Sequence, residues 1–544
     1  MLGPLAPSPE QYRPTRSVVL PPLSFDHANG GRPVTSQTLL FRLPIELVEE
    51  VAACLNTADL RSLALVDRDC RQLARARLFT SVTLEYSNEK WTLLDQLSHH
   101  ETPSHRDNGG ATESPSIGAC IRRVRVVPLP PGESAIHNRL SPAETYDDMR
   151  KEEGCAAHNA ACKYCGTYLP KIAKALRFSL PNLDEFVWPD GVAIPQHMLT
   201  AIASSPIRRL GLRVTQLPLD YEYQLPQLEQ QRWALQSLDL DVESHPHSEL
   251  RGRVVDKFCL TILKAAAPTL EKISFRGYLG AEMSFGSSAI RFPRLRTLSF
   301  DTGLIPDDTV LDAFFPTDAD SHVPCSVSIN ISLLHMRESF APRGRIRGLQ
   351  SLLLFTTTHD PQDSKATDVA LLSANTQLKS LTLLAPKPKK LTTTLLPLLA
   401  SEFKFLTTLV VYITFPGVHL PPEFFAATGK LTSLTSLWIV ASEGYDWTAD
   451  APRTIAALSP LRNLARLGLC EQFTSIEVPL VQESEDQYAE RMRNIVELYV
   501  RAFRGLRWVY FGELVHRIVG NAIVPGEMGR RRYSPLGLWE IPDW

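Results

Sequence analysis

Three seven-residue stretches decide the fold of this chain: LKSLTLL at residues 378–384, LTTLVVY at 406–412 and LTSLWIV at 434–440. In each stretch the first, fourth and sixth residues are apolar, and the starts are 28 residues apart. The alternation from the fourth to the sixth position is typical of a short β-strand that buries one face. A pattern that returns at a fixed spacing of about 20–50 residues indicates stacked structural repeats.

The same pattern extends from these stretches in both directions along the chain. It begins again at Ile121, Leu183, Ile207, Leu235, Leu270, Leu295, Leu349, Leu464 and Leu506. The interval after Leu295 is about twice the others, and the alternating Val327 and Ile329 within it predict one further strand. We therefore predict thirteen parallel strands in one curved sheet, with helices such as 254–267 and 448–458 on the convex side.

A second informative stretch precedes the repeats: LPIELVEEVAACLNTADLRSLALVDRDCRQLARARLFTSVTL at residues 43–84. Its apolar residues recur at helical spacing, and Pro44 suits the first turn of a helix. Thr57 or Asp59 is predicted to cap a second helix, and Asp67 a third. Three helices in about forty residues bury too little surface to be stable alone, so this helical module must pack on the chain, on a partner, or on both.

These residues resemble a known family. The order Leu43-Pro44-x-Glu46-Leu47, then Val51, Leu55, Asp59-Leu60 and Val66-x-Arg68-x-x-Arg71-x-Leu73, resembles an F-box. Asp67 and Cys70 depart from that pattern, standing where the family often has Cys and favours Trp. The strand pattern resembles the irregular leucine-rich repeats found behind F-boxes. The resemblance implies an α/β fold: an N-terminal three-helix F-box, then a leucine-rich-repeat solenoid with a curved parallel sheet and helices on the convex side.

The resemblance also implies a function. An F-box binds the Skp-type adaptor of cullin–RING ubiquitin ligases, so the chain is expected to be the substrate-recognition subunit of an SCF-type ligase, without catalytic residues or cofactors. The alternative is a non-degradative F-box and repeat scaffold. The residues expected to bind the adaptor are Leu43, Pro44, Leu47, Val51, Leu55, Leu60, Leu63, Val66 and Leu73. We expect them to divide between the core of the module and the contact with the adaptor.

The protein substrate is expected on the concave face of the repeats, which the third, fifth and seventh positions of each stretch should line. Early repeats place charged residues there: Arg209, Arg213, Asp239, Asp241, Lys272, Arg276 and Asp301. Later repeats place apolar and aromatic residues there, and the candidate substrate-binding residues are Phe355, Tyr412, Trp438, Trp508 and Tyr510. An exposed aromatic patch usually marks a contact site. The alternative is that the apolar tail after residue 535 folds back over these residues.

Composition sets the remaining domain boundaries. Residues 1–38 are Pro-rich and predicted to be disordered, 39–84 form the F-box, and 85–120 form a polar linker. Residues 121–515 form the repeats, with a helical insertion at about 140–180. Residues 516–544 form a C-terminal tail.

Charge and apolar patterning exclude several classes of function. The chain has 57 basic and 59 acidic residues and a net charge of −2, which argues against nucleic acid as a partner. No apolar run approaches the roughly 20 residues of a membrane span. Nine scattered cysteines do not indicate a disulfide framework, and the first residues lack a secretory apolar segment. We therefore expect a protein of the cytoplasm, the nucleus or both.

Catalytic motifs are missing, and one cluster raises the question of a metal. No phosphate-binding loop, nucleophile elbow, HExxH or GxGxxG is found. Cys155, His158, Cys162 and Cys165 have a spacing that can suit tetrahedral Zn²⁺. Their surroundings favour a helix, along which the four side chains would spread over about 15 Å and fail to converge on one ion. We predict a helix face without metal, with a zinc knuckle as the alternative.

Overall fold

The structure is a computed structural model that describes residues 20–85, 88–99, 116–127, 166–188, 194–215, 233–243, 259–277, 281–286, 290–301, 304–316, 323–331, 339–355, 363–384, 386, 388–413, 420–442, 447, 451–472, 485–511, 514–520 and 522–525. The chain forms two compact units. The first contains Met1–Tyr278 and Phe285–Leu295, and the second contains Leu279–Ser284 and Arg296–Trp544. The fold is mixed α/β and solenoid-like, because within each unit successive strands lie side by side in a mostly parallel sheet.

The helices of the first unit lie before and between its strands in the chain. They are α1 (Phe25–Ala28), α2 (Ile45–Ala53), α3 (Thr57–Leu63), α4 (Arg68–Leu78), α5 (Asn88–His99) and α6 (Gln196–Ser204), with 3₁₀ turns at Leu39–Arg42 and Ile117–Cys120. Residues 166–178 and 259–266 are also helical. The helices α2, α3 and α4 fall where the sequence predicts three helices.

Six parallel strands of the first unit follow one another in chain order. They are β1 (Ser81–Glu85), β2 (Arg123–Val127), β3 (Glu185–Trp188), β4 (Arg209–Thr215), β5 (Ser237–Glu243) and β6 (Lys272–Gly277). Each strand pairs in parallel with the next, so that Leu210 of β4, for example, lies opposite Leu238 of β5. Both leucines are buried, as their place at the fourth position of the pattern predicts.

The second unit contains the remaining strands. They are β7 (Ala281–Met283), β8 (Thr297–Asp301), β9 (Leu304–Pro306), β10 (Ser326–Ile331), β11 (Leu349–Phe355), β12 (Ser380–Leu384), β13 (Thr408–Tyr412), β14 (Ser436–Ser442), β15 (Arg466–Gln472), β16 (Trp508–Phe511), β17 (Leu514–Val519) and β18 (Ala522–Pro525). Strands β8 and β10–β16 are parallel, β17 and β18 are antiparallel to their neighbours, and β7 pairs separately with β9.

Helices connect the strands of the second unit. They are α7 (Asp308–Phe314), α8 (Asp363–Ala374), α9 (Pro388–Lys390), α10 (Leu396–Glu402), α11 (Pro422–Thr428), α12 (Ala451–Leu458) and α13 (Glu485–Ala502). A π-helical turn, Leu391–Leu395, joins α9 to α10, and a 3₁₀ turn covers Ala341–Arg343. Among the described residues, no helix is long and apolar enough to cross a membrane.

All thirteen predicted strands are present, and each pairs in parallel with the neighbouring predicted strand of its unit. The four most regular repeats pair as Leu352, Leu381, Leu409 and Leu437, in that order. These leucines are at most 1% exposed, which confirms that the fourth position points into the core. The degenerate strand predicted around Val327 and Ile329 is β10. The predicted helices at 254–267 and 448–458 correspond to the helix at 259–266 and to α12.

Three boundaries set from composition differ from the structure. Residues 20–38, predicted to be disordered, are described, and Phe25 within them is fully buried. The predicted linker at 85–120 contains α5, whose Leu94 and Leu97 are buried. The predicted tail at 516–544 begins inside β17, which pairs with β16. In each case contacts with distant parts of the chain order the segment, and composition does not reveal such contacts. Residues 1–19 and 526–544 lie outside the described residues, as does most of the insertion at 140–180.

Candidate partner-binding surface

A small apolar core holds the helical module together. Val48 and Ala52 of α2 and Leu73 of α4 are buried in one cluster. Phe25 of α1 completes this cluster, and its ring centroid lies 5.3 Å from that of Phe41. Because helices this short bury little surface by themselves, the segment that precedes the module is part of its core.

Polar contacts also tie residues 20–42, here called the N-terminal strap, to the helices. The Glu49 carboxylate accepts a hydrogen bond from the Phe25 amide at 2.6 Å. Gln72 Nε2 donates to the Ala28 carbonyl at 2.5 Å, and both residues are buried. A buried amide without such a partner would cost about 1–3 kcal/mol, so these bonds fix where the strap lies.

Two carboxylates at the start of α4 hold the middle of the strap, an arrangement here called the strap latch. Asp69 Oδ2 accepts hydrogen bonds from the Thr35 amide at 2.6 Å, the Thr35 hydroxyl at 3.0 Å and the Ser36 amide at 2.6 Å. Asp67 accepts from the Ser36 hydroxyl, and its other oxygen caps α4 by accepting from the Cys70 amide at 2.7 Å. Burial raises the pKa of Asp67, but the hydrogen bonds from Ser36 and Cys70 outweigh it and hold this pKa below its ordinary value.

One side of α2 remains apolar and exposed. Leu47 and Val51 lie four residues apart on α2 and therefore share one side of that helix. They are 45% and 44% exposed, and Leu43, in the extended segment just before α2, is 44% exposed. Leu65 and Val66, in the turn between α3 and α4, are 82% and 59% exposed. These five residues are here called the exposed apolar surface. Apolar side chains left uncovered in such number usually mark a contact with another molecule.

The nine residues predicted to bind an adaptor divide between surface and interior. Five are exposed, namely Leu43, Pro44, Leu47, Val51 and Val66, and four are half-buried or buried, namely Leu55, Leu60, Leu63 and Leu73. A division of this kind was predicted, whereas adaptor binding itself stays a prediction. The sequence analysis did not include Leu65. Its place outside the apolar stripe of α3 could have indicated that its side chain is exposed.

Cys70, where the sequence departs from the F-box pattern, is 1% exposed on α4. Burial raises the pKa of the Cys70 thiol to about 11, with a further contribution from its hydrogen bond and charge interaction with Asp67. The group is therefore a neutral thiol near pH 7 and packs as a small apolar side chain.

The candidate substrate-binding residues of the second unit lie in one cluster, and most of them are buried. Tyr412, Trp438 and Tyr510 are 4%, 2% and 6% exposed, while Phe355 and Trp508 are partly buried against them. The expectation of an exposed patch is thus wrong for the three buried residues. Alternation along a strand shows which residues share a face, but not whether that face is covered.

Trp438 of β14 is held in place by residues of β15, the adjacent strand, and of β16, the strand beyond it. Its ring centroid lies 4.3 Å from that of Tyr510. Gly468 is its register partner on β15, and a β-carbon at that position would lie 2.2 Å from Trp438 Cε3. The indole therefore occupies space that any side chain at position 468 would fill.

The charged positions of the early repeats form ion pairs with nearby residues. Arg123 of β2 contacts Glu185 of β3 at 2.6 Å, and Arg209 of β4 lies 3.9 Å from Asp184. Arg209, Asp239, Asp241 and Lys272 are half-buried, whereas the side chains of Arg213, Arg276 and Asp301 lie outside the described residues. The change from charged to apolar residues along the array is thus visible in the described strands.

The candidate zinc residues, Cys155, His158, Cys162 and Cys165, lie outside the described residues. Within the part of the chain that the structure describes, no group of three or more His, Cys, Asp or Glu side chains is placed to hold a metal ion. The described cysteines Cys54, Cys70, Cys120, Cys259, Cys325 and Cys470 are free thiols.

No family model matches the chain, and no curated protein matches it.

Proposed function

We propose that this chain is the substrate-recognition subunit of an SCF-type cullin–RING E3 ubiquitin ligase. Residues 39–84 are then an F-box that binds the Skp-type adaptor, and the strands after it are leucine-rich repeats that bind a protein substrate. Other subunits transfer the ubiquitin, so the chain itself needs no catalytic residue, metal or cofactor. The proposal places the protein in the cytoplasm, the nucleus or both.

The observation that carries the proposal is the exposed apolar surface on a small helical module that precedes a repeat sheet. Fully burying a Leu or Val side chain is worth about 1.5–3 kcal/mol, so covering a half-exposed one gives about 1 kcal/mol. Each 1.4 kcal/mol corresponds to a tenfold change in affinity, so losing two such side chains from the contact should weaken binding at least tenfold.

Affinity purification followed by mass spectrometry tests the adaptor contact. Wild-type chain should retain the Skp-type adaptor and its cullin, and the double variant Leu43→Ala/Pro44→Ala should lose at least nine-tenths of both. The two residues are exposed, so the variant should melt at the wild-type temperature in calorimetry.

Leu498→Ala is the matched control, since Leu498 lies on α13 in the second unit and is 43% exposed, like Leu43. It should retain the adaptor in full. Full retention of the adaptor by the folded double variant would refute the proposal. Proteins that still bind the double variant, but no longer bind a variant altered in the repeats, are substrate candidates. If such a protein has a longer half-life in cells when the F-box is removed, the chain promotes its degradation and is not only a scaffold.

We propose that Phe355 and Trp508 contact the substrate. Among the five aromatic candidates these two are only partly buried, so each offers surface to a partner while the cluster beneath holds it in place. Arg517 lies 5.7 Å above the Trp508 ring, which gives that side of the cluster a positive charge.

A further inference from the structure

The strap latch lies between the core of the helical module and the exposed apolar surface. On one side of it, Phe25 is fully buried in the core of the helical module. On the other side, the strap continues through the 3₁₀ turn Leu39–Arg42 directly into Leu43, the first residue of the exposed apolar surface. Whatever loosens the latch therefore loosens the chain that leads into this surface.

Thr35 is the accessible member of the latch. Its residue is exposed, as are Pro33 and Val34 before it, and residues 32–37 form neither helix nor strand. Its hydroxyl donates to Asp69, which is 2% exposed and accepts two backbone hydrogen bonds in addition. A hydroxyl that can be reached from solvent thus touches a buried carboxylate.

We propose that Thr35 is a phosphorylation site and that phosphorylation opens the strap latch, which weakens binding at the exposed apolar surface. A protein kinase with ATP is the co-reactant class. The new bond joins Thr35 Oγ1 to the γ-phosphorus, the bond from that phosphorus to the β–γ bridging oxygen breaks, the hydroxyl proton passes to a base, and ADP leaves.

The physical effect follows from charge. Phosphorylation removes the donor that Asp69 accepts from and adds a charge of about −1.5 to −2 at neutral pH. The new anion then lies beside Asp69 and near Asp67, the second carboxylate of the latch. Like charges at this range repel, and the Asp69 side chain is too buried for water to screen the repulsion well. The strap must leave the carboxylates, and the two backbone hydrogen bonds from Thr35 and Ser36 are lost with it.

Hydrogen–deuterium exchange on the full chain tests the latch itself. Phosphothreonine incorporated at position 35 should speed exchange of the amides of Thr35 and Ser36 at least tenfold, and Thr35→Glu should act in the same direction. Gln37→Glu is the matched control, because Gln37 is an exposed residue of the same strap. It adds a negative charge without changing shape and should exchange like wild type.

Removal of the negative charge of Asp69 provides the decisive comparison. In an Asp69→Asn background, phosphorylation should change exchange at least threefold less than in wild type. Unchanged exchange after phosphorylation, an equal effect of Gln37→Glu, or an undiminished effect in the Asp69→Asn background would each overturn the proposal.

The expected effect of phosphorylation on adaptor binding rests on the proposed function, and a separate binding measurement tests it. Binding of purified Skp-type adaptor to the phosphorylated chain should be at least tenfold weaker than to the unmodified chain. An open latch with unchanged adaptor affinity would overturn this regulation. If the unmodified chain fails to bind adaptor at all, the proposed function fails, while the exchange experiment still decides whether the latch opens.

Discussion

Single residues in the repeats are constrained by the residue beside them on the next strand more than by their own strand. Trp438 and Gly468 are opposite each other on β14 and β15, and the indole lies where a side chain on Gly468 would be. Gly211 occupies the corresponding fifth position on β4, but a β-carbon there would lie 3.6 Å from Val187, an ordinary contact. The same residue type at the same repeat position therefore has two different roles.

Gly468→Ala should destabilise the second unit. The added β-carbon overlaps Trp438, whose 2% exposure leaves it little room to move, and such overpacking costs about 1–3 kcal/mol. Differential scanning calorimetry should show a lower melting temperature for this variant, while Gly211→Ala, the control, should melt within about one degree of wild type. If the two variants had the same melting temperature, the Trp438 indole would accommodate the added methyl group without loss of stability.

At the scale of elements, the sequence predicted what depends on local pattern and missed what depends on distant contacts. Leucine spacing alone placed the thirteen parallel strands, because the residues at its fourth and sixth positions must share the buried face. It did not reveal β17 and β18, which lack the repeat pattern; β17 pairs with β16, and β18 pairs with β17. The strap was missed because the burial of Phe25 depends on α2 and α4, which lie 20 or more residues away.

The residues that cap the helices were also predicted only in part. Asp67 caps α4 as predicted, but α3 is capped by Asn56 rather than by Thr57 or Asp59. Asn56 Oδ1 accepts from the amides of Ala58 and Asp59 at 2.9 and 3.0 Å. Asn56, Thr57 and Asp59 are all of the residue types that favour N-caps, so residue type alone could not identify the capping position.

Asn56→Ala should therefore lower the stability of the helical module by about 1 kcal/mol, the usual cost of a lost N-cap. Thr57→Ala should change it by much less, since Thr57 is exposed at the first helical position. Exchange protection of α3 amides measures both variants directly. A larger effect at Thr57 would assign the cap to the residue that the sequence suggested.

At the scale of the molecule, the parallel strands of the second unit end in an antiparallel pair. β17 covers the edge of β16, and β18, with four residues and Pro525 at its end, lies beyond it. Short outer strands and proline blunt the tendency of an open edge to pair with another chain.

A chain that ends at residue 512 should therefore aggregate, because it leaves the backbone groups of Trp508–Phe511 without β17. A chain that ends at residue 526 retains both antiparallel strands and should elute as the full chain does in size-exclusion chromatography. Both lack residues 527–544, so the comparison isolates the antiparallel pair. Aggregation of the longer chain as well would assign the protective role to those last residues instead.

The pairing of each strand with a near neighbour in the chain has a consequence for biosynthesis. Ribosomes add about 5–20 residues per second, so one 28-residue repeat emerges in a few seconds. Helix formation and the closure of short loops take well under a millisecond. Between β10 and β16, each strand pairs with one that was synthesised just before it, so no pairing has to wait for a distant part of the chain. Translation itself sets the order in which this part of the sheet is assembled.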